Sequence, residues 1–285
     1  MKKHLFFSNF WALLFLGFVV LFASCDKQGL IGEAIYPAQN FYMSQAAVAT
    51  VGPGANGIYT ITPRIEGVVT RFIIDAATKK FNVPLGVIRS GVSLDGEVEV
   101  SVLTNTDTIN KLIALNKFAV AADPAVTTEL LPSSAFALPG SLTVKAGETN
   151  ANFILPIDLN FLINSLNDNP KKRYAMGVSI KPNTNADNPQ IVPLRTTVIL
   201  IDPAQVLLAA ANFSSFVYAE TKTGNFSNST ANGVTYSWNY GDGSPAETTP
   251  SPSHKYAAAG TYTVTLTATG VTGPPSVKTA SIVIP

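Results

Sequence analysis

Runs of alternating apolar and polar residues, separated by Gly, Pro, Asn and Asp, make up most of the chain beyond its first fifty residues. The plainest is Val98, Val100 and Val102 against Glu97, Glu99 and Ser101, which reads as a strand with one wet face, opened by the Asp95-Gly96 turn. Further strand-like runs lie at Tyr59 to Ile65, Val68 to Ile74, Phe81 to Ile88, Ser141 to Lys145, Asn152 to Leu159, Arg173 to Lys181 and Val192 to Ile201. One segment has a helical period instead: Ile109, Leu112, Ile113 and Asn116 share a face, with Thr106 or Asp107 as the expected cap. The Asn-, Asp- and Pro-rich stretch from Pro182 to Pro189 reads as a hairpin connection. Asp202-Pro203 closes this block, and Ala204 to Asn212 reads as a linker to a second unit.

The N-terminal pattern differs. Lys2 and Lys3 precede an apolar stretch from Leu5 to Phe22, then Ala23-Ser24-Cys25 and polar Asp26-Lys27-Gln28. A basic start, a short apolar run and small residues before a cut describe a secretory signal that is removed rather than folded. Cys25 is the single cysteine of the protein. At the cut it can carry a diacylglycerol, and its freed amine a further acyl chain, which together give durable anchoring. The segment resembles a bacterial lipoprotein box, with Phe22 where that box usually has Leu. The resemblance implies a lipid-anchored outer-membrane protein of the Bacteroidota, exposed at the cell surface.

Bulk composition narrows the field. The sequence has 285 residues with 19 basic and 18 acidic side chains, and losing Lys2 and Lys3 with the signal leaves it near neutral. No charge excess draws it to nucleic acid. With Cys25 used for lipid, no disulfide forms, so stability comes from packing. Frequent Gly and Pro with β-branched runs between them favour an all-β protein. The expected divisions are a signal peptide over 1–24, a tether and lead-in over 25–50, a first β-sandwich over 51–203 with one short helix, and a second over 204–285.

Several features of the first block resemble domain of unknown function 1735, found at the N-terminus of many Bacteroidota surface lipoproteins. They are the helix with Leu112 and Asn116, Leu131-Pro132 before Phe136-Ala137-Leu138, Ser141 to Val144 leading into Ala146-Gly147, and Arg173-Tyr174 opening a late strand. The resemblance covers roughly residues 30 to 203 and implies an immunoglobulin-like β-sandwich. No catalytic residue comes with it.

The C-terminal block carries a sharper signature: Trp238-Asn239-Tyr240-Gly241-Asp242-Gly243, then His254-Lys255-Tyr256, then Gly260-Thr261-Tyr262 leading to Val264 and Leu266. It resembles the PKD (polycystic kidney disease) domain, with Tyr240 where that family usually has Phe. Each signature residue has a folding role. Trp238 offers a large apolar body for the space between two sheets, the glycines around Asp242 suit a tight exit, and Tyr262, Val264 and Leu266 alternate with threonines as a half-buried strand. Asp242 as a calcium ligand and His254 as a base are the sharper readings, and a structural role is the expectation for both.

The mature sequence retains one histidine, His254, and no free thiol, so zinc sites and Ser-His-Asp catalysis are not expected. No phosphate-binding or dinucleotide fingerprint occurs. Catalytic residues, metal and cofactor are therefore expected to be none. Asp107-Thr108-Ile109 resembles a Bacteroidota O-glycosylation acceptor, which makes Thr108 a candidate, although these residue types also simply start helices. The expectation is a non-catalytic surface lipoprotein that binds polysaccharide or adheres to glycans. The alternative is a structural spacer or a subunit that binds a protein partner in an outer-membrane assembly. Sugar sites need exposed rings, and Tyr42, Tyr59 and Tyr218 are the tyrosines left uncommitted by the folding argument.

Overall fold

The computed structural model describes residues 39–51, 56–65, 67–184 and 191–285. The signal peptide, Cys25 and the residues after it up to 38 lie outside the described residues, as do 185–190 of the expected hairpin loop.

The chain forms two β-sandwiches in tandem. In the first, β4 (Lys80–Ser90) is the spine of one sheet: β1 (Asn40–Met43) and β3 (Ile73–Asp75) pair along one side and β8 (Asn150–Asp158) along the other. The facing sheet runs β2 (Ile58–Thr60), β10 (Thr196–Ile201), β9 (Lys172–Pro182), β5 (Val98–Thr104), β7 (Ser141–Val144), with β6 (Thr127–Leu130) parallel to the start of β9. Phe81, Val83, Leu85 and Val87 of β4 face Val98, Val100 and Val102 of β5 and Met176 and Val178 of β9 across one core. The predicted alternation of β5 holds, with Glu97 and Glu99 exposed.

The helix α2 (Thr106–Ala114) lies on the outer face of the second sheet, where Ile109 is fully buried with Phe118, Ala175, Val198 and Leu200. Its cap is Asn105, whose side chain accepts from the Thr108 amide at 3.0 Å, rather than Thr106 or Asp107. Because α2 covers that face, β9 and β10 are buried on both sides and read as near-continuous apolar runs.

The expectation of one helix in this domain is corrected. Helix α1 (Ser44–Ala49) follows β1, and helix α3 (Leu159–Asp168) continues directly from β8. Asp158 caps α3 by accepting from Asn160 and Phe161, and Leu159, Leu162 and Leu166 enter the core at helical spacing. The expected linker begins with helix α4 (Pro203–Leu207), in which Val206 and Leu207 are fully buried. The expected strand from Val68 to Ile74 reduces to β3, and Val68 and Val69 are exposed, 59% and 95% respectively.

The second sandwich packs a sheet of β11 (Phe213–Tyr218), β12 (Thr223–Asn228) and β14 (Ser253–Lys255) on one of β13 (Thr235–Asn239), β15 (Gly260–Thr269) and β16 (Ser276–Ile284). Trp238, Tyr240, Tyr256, Val264 and Leu266 form its centre.

The two sandwiches are joined by a polar clasp around Asn232. Its side chain is buried, its backbone is left-handed at φ 53°, and its Nδ2 donates to the carbonyls of Gln205 at 2.7 Å and Leu208 at 2.9 Å. Its Oδ1 accepts from the Arg64 amide at 2.8 Å, and its own amide donates to the Arg64 carbonyl at 2.7 Å. Gly270 lets the second domain come close: a β-carbon there would lie 2.6 Å from the Leu207 carbonyl oxygen.

Candidate functional site

The signature residues of the second sandwich come together as one network. Trp238 is fully buried, meets Phe213 edge-on at 5.0 Å between centroids, and donates its indole N–H to the Thr249 carbonyl at 3.0 Å. Tyr240 stacks on His254 at 3.9 Å and donates to Glu247 at 2.8 Å. Tyr256 donates to the Tyr240 carbonyl, and Tyr262 to that of Ala258. Burial, then the bond to Glu247, pushes the Tyr240 phenol well above its ordinary value.

Gly241 has φ 78°, and a β-carbon there would lie 2.5 Å from the Thr263 carbonyl oxygen. Gly241→Ala is therefore expected to lower the melting temperature of this domain, by a loss of at least about 1 to 2 kcal/mol for the left-handed backbone before any clash is counted. Chemical denaturation of the variant beside the native chain measures it.

Asp242 and His254, the sharpest chemical candidates, bind each other. His254 Nε2 lies 2.7 Å from Asp242 Oδ2, and Asp242 Oδ1 accepts from the Ser244 amide and hydroxyl. Burial pushes the Asp242 carboxyl up, but the hydrogen bonds from Ser244 and His254 outweigh it and hold it at about 2. A folded value below the unfolded one, about 3.9, means its stabilisation is complete above that pH and lost as pH falls toward the folded value. Acid titration should thus lower the melting temperature of this domain between about pH 4 and about pH 2, and Asp242→Asn should flatten that fall. Among the described residues no group of three or more His, Cys, Asp or Glu side chains is placed to hold a metal ion.

Two surfaces stand out among the described residues as places where a ligand could sit. The first is a cleft of about 590 Å³ at the clasp, lined by Phe72, Ile74, Leu159 and Ile163 of the first domain and Val234 and Val271 of the second, with Arg64 and Lys79 at its polar edge. Arg64 is already engaged, donating to the Gly233 carbonyl at 2.5 Å.

The second is the outward face of the sheet β11, β12, β14. Strand alternation turns Phe213, Phe226 and His254 inward and leaves Ser214, Phe216 and Tyr218 of β11 outward. Register then sets Asn225 opposite Phe216 and Thr223 opposite Tyr218, with Ser253 and Lys255 beyond them on β14. Phe216 is 63% exposed and Tyr218 50%, their ring centroids 4.9 Å apart. Of the tyrosines left uncommitted by sequence, Tyr218 is thus the open one. Tyr59 is buried beneath Arg71, and Tyr42 is half-buried. Sequence reasoning did not single out Phe216, because Phe213-Ser-Ser-Phe216 has no alternation; its pairing partner was the missing signal.

Thr108 lies half-buried in the first turn of α2. Among the described residues no helix is long and apolar enough to cross a membrane.

Comparison with known proteins places a family model described as PKD domain on residues 209–284. A second model, described as an N-terminal domain, matches residues 54–187. No curated protein matches the chain. Of solved structures, the PKD1 domain from Vibrio cholerae metalloprotease PrtV is 28% identical, with TM-score 0.26, covering 27% of this chain and 98% of that one. A multidomain protein including domain of unknown function 1735 from Bacteroides ovatus is 13% identical, with TM-score 0.34, covering 76% of this chain and 58% of its own. An auxiliary nutrient binding protein from Bacteroides thetaiotaomicron is 15% identical, with TM-score 0.34, covering 77% of this chain and 62% of its own. This chain therefore spans less than two thirds of each of the latter two.

Proposed function

We propose that this protein is a non-catalytic, lipid-anchored surface lipoprotein that holds glycans on its C-terminal PKD domain. The observation that carries the reading is the outward face with Phe216 and Tyr218, two exposed rings beside hydroxyl and amide side chains. Aromatic rings accept the apolar faces of sugars, and flanking polar groups fix orientation. Asp242, His254 and Glu247 support the same reading, since they are spent on one another and on Ser244 and Tyr240.

The test is a glycan array probed with the detergent-solubilised full-length protein at two ionic strengths. Binding to polysaccharide that changes little with salt is expected, because Lys255 is the one charged side chain among the outward strand positions. Silence across host and plant polysaccharides, with a stoichiometric protein partner recovered from the membrane, would instead favour the spacer.

Anchoring rests on Cys25 and its Ala23-Ser24 lead. Cys25→Ala is expected to move the protein from the membrane fraction to the soluble one and to abolish metabolic labelling by fatty acid. Unchanged partition would contradict the anchor.

A further inference from the structure

We infer that this face selects glycan chains that turn between successive sugars over flat, ribbon-like chains, an inference that rests on the glycan-binding reading above. The planes of Phe216 and Tyr218 stand at 77° to each other. Coplanar rings make a floor on which consecutive sugars of a flat chain stack face down. Rings near a right angle cannot both serve that way. They make a corner: one ring underlies the apolar face of one sugar, and the other offers its face to a sugar turned out of the first one's plane.

The strand geometry sets both rings on one face of the sheet. Phe216 and Tyr218 are two residues apart on β11, so both point outward. Antiparallel pairing gives each ring its own polar neighbour, Asn225 for Phe216 and Thr223 for Tyr218. The next strand adds Ser253 beside Asn225 and Lys255 beside Thr223. Two successive sugars therefore each meet one ring and one row of hydrogen-bonding side chains, in planes set by the rings.

Charge fits the same occupant. The outward positions of β11, β12 and β14 carry hydroxyls, one amide and one cation, without a carboxylate. A neutral polyhydroxylated chain finds donors and acceptors here and no buried charge to compensate. A protein partner would find no apolar centre beyond the two rings, and stable protein interfaces are built around one.

Calorimetric titration of the full-length, detergent-solubilised chain tests this with paired probes that differ in anomeric linkage: maltohexaose against cellohexaose, and α-linked against β-linked mannan. The bent member of a pair is expected to bind tighter by about ten-fold or more. Phe216→Ala and Tyr218→Ala should each weaken that binding by about ten-fold while leaving the melting temperature unchanged, since both rings are exposed. Equal or tighter binding of the flat member, still dependent on the rings, would overturn the turned-chain inference and leave glycan binding standing. Tight glycan binding indifferent to both substitutions would overturn the site. Failure of the native protein to bind any glycan on a broad array would remove the functional reading itself.

Discussion

Asn232→Ala is expected to uncouple the two sandwiches. The native amide satisfies two partly buried carbonyls, of Gln205 and Leu208, and one partly buried backbone N–H, of Arg64. Deleting it removes three hydrogen bonds at about 1 kcal/mol each, a cost of about 2 to 4 kcal/mol for partly buried groups. The left-handed backbone adds to this, because alanine is strained at the φ of 53° that asparagine tolerates. Asn232→Gly separates the two contributions: it relieves the backbone and should recover about 1 kcal/mol of the loss. Differential scanning calorimetry is the measurement. The native protein should melt with its domains coupled, and Asn232→Ala should show two separated transitions. A single transition at the native temperature would mean that apolar contacts, such as Leu208 and Val271 against the first core, hold the domains without the clasp.

Trp238→Ala should have an effect of similar size, confined to the second domain. The indole is fully buried between Phe213 and Phe226, and its N–H satisfies the Thr249 carbonyl. Truncating a large buried aromatic costs about 3 to 5 kcal/mol. The C-terminal domain should then unfold in a separate transition at lower temperature, or be unfolded throughout, while the first domain still melts cooperatively, as monitored by near-ultraviolet circular dichroism during melting. Retained melting with lost glycan binding would mean that Trp238 is a ligand platform.

What could be read from sequence was what leaves a one-dimensional trace. Strands with one wet face, such as β5 with its valines and glutamates, alternate visibly, and the PKD signature around Trp238 and Gly241 is local. Strands buried on both faces lose that trace, which is why β9 and β10 read as plain apolar runs. Helix α3 was hidden because its apolar positions follow β8 without a break; the Asp158 cap was the available marker. Helix α1 and strand β1 sat in a stretch of mixed polarity, and their burial comes from pairing with β4 and packing on the core. Asn232 is one more polar loop residue until Arg64, distant in the chain, meets it. The outward face was half legible, since Tyr218 stood out as unspent. Placing Phe216 beside it required the register of β11 on β12, and a slip of one residue would turn both rings inward.

Hydrogen–deuterium exchange of the full-length protein, with and without the glycan it binds most tightly, tests most directly whether the outward face of the PKD domain is the binding site. Slowed exchange across β11 and β12, with the segment from Ile73 to Lys79 and the start of α3 unchanged, is the result predicted. Protection confined to that segment and α3 would put the ligand in the cleft at the clasp and contradict the account.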